Sequence, residues 1–144
     1  MSAELKPVIK VEATIDAPVE KVWETWVNAE DVKKWNVASD DWHTPAATND
    51  LRIGGKFNYR MEAKNGSFGF DFWGTYNEII ENENLFYTLG DHRKVWLTFH
   101  EMGDTTHLVE EFEAEDKNPL ELQREGWQAI LDRFANYVES KLTL

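Results

Sequence analysis

Pro119–Leu142, PLELQREGWQAILDRFANYVESKL, is the stretch that decides the architecture. It holds no proline after Pro119, and Leu120, Gln123, Trp127, Leu131, Phe134 and Val138 fall near one line at helical spacing, with Ile130 beside them. The spacing predicts one long helix. At ~1.5 Å per residue it runs roughly 35 Å, enough to cross a whole sheet and close one side of its core.

The residues before it supply that sheet. From Val8 to Ile15 the chain alternates strictly, with Ile9, Val11, Ala13 and Ile15 opposite Lys10, Glu12 and Thr14, the period of a half-buried strand. Asp16-Ala17-Pro18 offers a capping side chain and a proline for a first helical turn, and Val19, Val22, Trp23, Trp26 and Val27 make the stripe of a short helix. A second amphipathic piece covers about Ala29 to Trp35. Asn36 to Asp50, rich in Ser, Asp, Thr, Pro and Asn, reads as an irregular loop that carries Trp42 and His43. Asp50 to Ile53 and Lys56 to Ala63 read as two strands about Gly54-Gly55. After the turn Lys64-Asn65-Gly66-Ser67, a long strand ending near Ile80 places Phe68, Phe70, Phe72 and Tyr76 on one face. Leu85 to Leu89, Val95 to His100 and Thr106 to Glu113 complete an antiparallel meander. The expected fold is α+β: a seven-stranded antiparallel curved sheet wrapped round the C-terminal helix, with two short helices after strand 1, in a single domain over residues 1–144.

Composition excludes several functions. Fifteen Lys and Arg against twenty-seven Asp and Glu give a net charge of −12, which repels phosphate backbones and anionic head groups, so nucleic acid is not an expected partner. Membrane insertion is not expected either. No stretch approaches the ~18 apolar residues of a span, and Met1 to Pro7 lacks the basic-then-apolar pattern of a signal peptide. The expected location is cytoplasmic. The chain has no cysteine, which excludes disulfides, thiolate metal sites and a sulfur nucleophile. Neither a metal nor a cofactor is expected: no His-x-Glu-x-x-His spacing occurs, His92 falls in a turn, and His100 and His107 alternate with apolar neighbours and point outward. Gly54-Gly55 precedes a strand and has no Lys-Ser or Lys-Thr pair, so it is a turn rather than a phosphate loop.

Seven Trp, eight Phe and four Tyr exceed what a plain core requires. Phe57, Tyr59 and Met61 on one strand and Phe68, Phe70 and Phe72 on its hairpin partner face the side that Trp127 and Phe134 must cover. Rings in this number are hard to interdigitate round one helix, and an apolar cavity of ~300–1,000 Å³ is expected. Its candidate lining is Trp42, Phe57, Tyr59, Met61, Phe70, Phe72, Phe99, Trp127 and Leu131, with ordinary core packing the alternative for each. Two polar residues share the inward face: Glu110, between Leu108 and Phe112, and Gln123, on the helix stripe. Each either orients a ligand or makes a structural hydrogen bond, to Arg60, Arg124 or a backbone amide. An inward Glu in apolar surroundings has a raised pKa, so Glu110 is a candidate acid or base, and His43 at the cavity mouth is the other catalytic candidate. Gly126, inside the long helix, suggests close approach of a backbone or a bound molecule. Trp73 and Trp96 fall on the outer sheet face, where they mark a homodimer or protein-partner contact or lie under long Lys or Arg stems.

Asp16-Ala17-Pro18-Val19-Glu20-Lys21-Val22-Trp23, Asp50-Leu51-Arg52-Ile53-Gly54-Gly55-Lys56-Phe57, Gly74-Thr75-Tyr76-Asn77-Glu78-Ile79 and Gly126-Trp127-Gln128-Ala129-Ile130-Leu131 together resemble the single-domain Hsp90-ATPase-activator-homologue-1-like family of the START/Bet v 1-like superfamily. The resemblance runs from about Val8 to Lys141. It implies a helix-grip fold with a cavity between sheet and helix, on a scaffold shared by lipid carriers, hormone receptors, aromatic cyclases and cochaperone domains. Three functions are therefore expected in order: binding of a small, largely apolar molecule; a chaperone-associated interaction module; and a cofactor-free cyclase or hydratase using a pocket carboxylate or His.

Overall fold

The computed structural model describes residues 6–142; residues 1–5 and 143–144 of the expected domain lie outside the described residues. The elements are β1 (Val8–Ile15), α1 (Val19–Val27), α2 (Ala29–Trp35), β2 (Trp42–Asn49), β3 (Lys56–Ala63), β4 (Gly69–Ile80), β5 (Asn84–Leu89), β6 (Lys94–Met102), β7 (Thr105–Glu113) and α3 (Leu120–Leu142). The strands form one antiparallel sheet in the order β1-β7-β6-β5-β4-β3-β2. It curls as a half-barrel round α3, the helix-grip arrangement.

The alternation in the strands dictates this packing. Register pairs Ile9 with Phe112, Val11 with Glu110, Leu97 with Glu110 and Phe99 with Leu108, so the inward residues of β1, β7 and β6 form one continuous floor, apolar apart from Glu110. Onto it α3 sets Leu131, Phe134 and Val138, all essentially without solvent contact. The end of the half-barrel is closed by Trp26 of α1, Trp35 of α2 and Phe134 of α3, whose ring centroids lie 4.7 to 4.9 Å apart. Gln128 of α3 also pairs with the outermost strand: its Nε2 donates to the Glu12 carbonyl at 2.9 Å, and its Oε1 accepts the Glu12 N–H at 3.3 Å. The free edge of β1 is thereby partly covered, which discourages pairing with another chain.

Several expectations need correction. The segment read as an irregular loop contains β2, an edge strand bulged between His43 and Ala46, where Pro45 has no N–H to offer a ladder. Asp50 to Ile53 is a turn instead of a strand, tied by Arg52 N–H to Asp50 O and Gly55 N–H to Arg52 O. The turn requires its glycines. Gly54 has φ of +83°, and a Cβ on Gly55 would lie 2.2 Å from Asp50 O. Asp16 caps nothing; Pro18 occupies the N-cap of α1, and the Asp16 N–H instead donates to Glu139 Oε2 at 2.8 Å. Phe68 lies outside β4 and is 61% exposed, so it does not face the core. A Cβ on Gly126 would meet nothing within 4 Å, so no neighbouring backbone demands glycine there.

Candidate functional site

Between the sheet and α3 lies a cavity of about 300 Å³. Inward positions of β3, β4 and β5 give it Phe57, Tyr59, Met61, Phe70, Phe72, Tyr76 and Tyr87. Trp26, Trp35 and Asn36 close its end, Trp127 and Ile130 of α3 form the opposite wall, Glu110 of β7 lies in its floor, and Arg93 and Glu115 complete the lining. Trp127 is held flat on Phe112, with centroids 3.8 Å apart and planes within 11°, and meets Phe72 edge-on at 6.0 Å. Such ring stacking fixes the wall without filling the space beside it.

The sheet parts next to this cavity. β4 pairs with β3 from Gly69 onward, but its ladder with β5 begins only at Gly74 opposite Leu89. Beyond that point the Gly90 N–H donates to Trp73 O at 3.1 Å. A second hollow of about 320 Å³ lies here and shares Phe70, Phe72 and Arg93 with the cavity. Gly90 is required by packing: a Cβ on it would come within 2.4 Å of the Trp73 indole. Arg93 is held by Asp91, with Nε to Oδ2 at 2.8 Å, and its Nη1 donates weakly to Glu113 O at 3.5 Å.

Polar groups inside are of two kinds. Some are satisfied by the protein: the Tyr76 hydroxyl donates to Asn49 Oδ1 at 2.7 Å, Asn49 Nδ2 donates to Val27 O, and the Glu115 carboxylate accepts from the Lys117 and Asn118 amides. Others are not. Asn36 Nδ2 is buried without an acceptor among the described residues. Glu110 is 5% exposed, and among the described residues its carboxyl has no hydrogen-bond or ion-pair partner. Burial alone pushes the Glu110 acid up from its ordinary 4.5 to about 8. At neutral pH it is a neutral carboxyl with one O–H to donate and oxygens to accept. Burial likewise raises the phenols of Tyr59 and Tyr87, and the nearby Glu110 adds to the rise at Tyr87.

Of the residues expected at the site, Phe57, Tyr59, Met61, Phe70, Phe72, Glu110 and Trp127 line the cavity together. The others lie elsewhere. Gln123 is tied to the entry of α3: its Oε1 accepts the Glu115 N–H at 2.9 Å, and its Nε2 donates to Glu115 O and Asn118 O. Leu131 and Phe99 are packed core, Phe99 against Trp23 at 5.2 Å. Trp42 stands on β2 among the half-exposed rings of Phe68 and Phe70, and His43 points to Glu62 at 3.7 Å instead of into the cavity. Arg60 and Arg124, considered as partners for Glu110 or Gln123, pair instead with Glu62 and Glu121. The residues that sequence reasoning missed are Trp26, Trp35, Asn36, Tyr76, Tyr87, Arg93, Glu115 and Ile130. Tyr87 and Tyr76 had a signal in their strand alternation; Asn36 and Arg93 lie in turns, where no periodicity marks a direction.

On the outer face, Trp73 is 40% exposed and lies under the Lys56 ammonium, 5.4 Å from its ring centroid. Trp96 is stacked on Phe86 at 5.5 Å. Both are thus partly covered by their own sheet.

Residues 16–139 match the family model described as Activator of Hsp90 ATPase homolog 1-like protein. The chain belongs to that family. Among solved structures, the AHSA1-like protein from Aeromonas hydrophila is 39% identical, with a TM-score of 0.88 over 94% of each chain. A Cytophaga hutchinsonii protein is 48% identical, with a TM-score of 0.79 over 96% of this chain and 94% of its own. A Nitrosomonas europaea protein at 17% identity superposes with a TM-score of 0.81 over 99% and 100% of the two chains, a likeness of fold alone. No curated protein matches the chain. Membership in the AHSA1-like family makes this chain a ligand-binding or interaction module in the general sense. Among the described residues, no helix is long and apolar enough to cross a membrane.

Proposed function

We propose that this AHSA1-like chain binds a small, largely apolar molecule in the cavity between the sheet and α3, with Glu110 orienting it. One observation carries the reading: a buried carboxyl faces an aromatic-lined hollow and has no partner among the described residues. Glu110 lines the hollow, so a ligand there can pair with its carboxyl, an interaction of about 1–3 kcal/mol for a group held away from bulk water. A hollow of about 300 Å³ is at the lower end of small-molecule sites, so the occupant is a compact ring system, not a long lipid. Phe70, Phe72 and Arg93 form its threshold, because they border both the cavity and the gap in the sheet.

The fluorescent probe N-phenyl-1-naphthylamine tests this reading. Saturable one-to-one enhancement in the native protein, abolished in Ile130→Trp, which puts an indole where an aliphatic side chain lines the cavity, is the expected outcome. No enhancement, or enhancement equal in both proteins, sets the reading aside.

A second reading has the family description behind it. The chain would then act on an Hsp90-type ATPase through its exterior, and the half-exposed Trp73 is the surface ring to alter. ATPase stimulation that Trp73→Ala reduces supports it; no stimulation at high micromolar protein removes it.

A further inference from the structure

The charge and the ring faces of the cavity narrow the class of its occupant, an inference that rests on the ligand-binding reading above. A buried, unpartnered carboxyl is satisfied either by a neutral acceptor, which takes its O–H, or by a cation, which takes its carboxylate form. Three observations favour the cation. Trp26, Trp35, Phe57, Phe72 and Trp127 line the space, and an aromatic ring attracts positive charge over its face. The chain carries a net charge of −12, a field that draws cations to any opening and repels anions. Arg93, the cation among the lining residues, is already paired with Asp91 at 2.8 Å, whereas the Glu110 carboxyl has no cationic partner among the described residues.

We propose that the occupant is a small arylalkyl amine bound as its ammonium ion, with the ammonium on Glu110 and the Tyr87 oxygen and the ring among Phe57, Phe72 and Trp127. The protons balance as follows. A free alkylammonium holds its proton to roughly pH 10, well above the value of about 8 for Glu110, so on binding at neutral pH it is the carboxyl that gives its proton to solvent. The ion pair left in the cavity is neutral overall. The groups facing Glu110 do not compete for that proton. Tyr87 on β5 and Tyr59 on β3 are phenols raised by burial, the β1 and β6 neighbours are Val11 and Leu97, and the α3 wall is Trp127 and Ile130. Glu115 and Arg93 are the remaining charges, both held by protein groups.

Calorimetric titration with tryptamine, its neutral analogue tryptophol and the anion indole-3-acetate tests the proposal, at pH 7 in two buffers of different ionisation heat. Tryptamine is expected to bind roughly tenfold more tightly than tryptophol, with about one proton released per molecule bound, and indole-3-acetate weakest of the three. In Glu110→Gln the preference of amine over alcohol falls to about twofold or less, and the proton release disappears. Tryptophol binding as tightly as tryptamine, or tryptamine binding without proton release, overturns the amine proposal. If N-phenyl-1-naphthylamine binds and tryptamine does not, the amine proposal falls and the cavity reading stands; if no probe binds, both fall.

Discussion

Glu110 is the residue on which the chemistry turns, and its burial has a consequence for stability that needs no ligand. Its acid is raised from 4.5 to about 8 in the folded chain, so the folded state holds the proton more tightly than the unfolded one. The stability this provides is complete below about pH 4.5 and is lost as pH rises through 8. By pH 7 the loss amounts to about 3 kcal/mol. Glu110→Gln removes the titration, so the variant is expected to match or exceed the native protein near pH 5 and to gain on it by that amount toward pH 7 to 8. Urea unfolding of both proteins across this range checks it, and parallel stability profiles would contradict it. The inward direction of Glu110 was legible because Leu108 and Phe112 flank it at strand period. Its lack of a partner was not, since that depends on Arg60 and Arg124 turning to Glu62 and Glu121. Gln123 shows the converse: its place on the apolar stripe was legible, but whether it faced a ligand or a backbone depended on where residues 115–118 turn.

At the scale of elements, the long helix, both short helices, the first strand and the meander are all readable from periodicity, and they stand where it put them. β2 was not. It is an edge strand in which only Thr44, which donates to Asn36 O at 2.8 Å, is buried, and Pro45 and the bulge between His43 and Ala46 break its alternation. The count of seven was reached with the wrong second strand, because the glycine turn at 54–55 was read as a two-residue hairpin when it ends a longer connection from Asn49. The same displacement explains Trp42 and His43: assigned to a loop over the cavity, they lie on an edge strand. The entry of α3 carries its own prediction. Gln123 satisfies one N–H and two carbonyls in the connection from β7, so Gln123→Ala should lower stability by about 1–3 kcal/mol without changing the cavity lining. A chemical unfolding curve measures this, and a change below about 0.5 kcal/mol would show that water replaces the side chain.

At the scale of the whole molecule, a half-barrel closed by one helix leaves space because the rings on its walls stack on each other instead of crossing the gap. Trp127 lies flat on Phe112, and Trp26, Trp35 and Phe134 lock together at the closed end. The number of aromatics in the sequence made a hollow foreseeable, and seven of its lining residues were identified, six from strand alternation and Trp127 from helical spacing. The residues from helix ends and turns, Asn36, Arg93 and Glu115, were not, because only the tertiary fold brings them to it. Binding in that hollow is the central claim, and it is testable without knowing the natural occupant. Xenon enters preformed apolar space and needs no hydrogen bond, so diffraction from a crystal under xenon pressure reports on the interior itself. Xenon is expected against Phe57, Phe72 and Trp127. An interior with no xenon and no gap larger than a water molecule there would contradict the account.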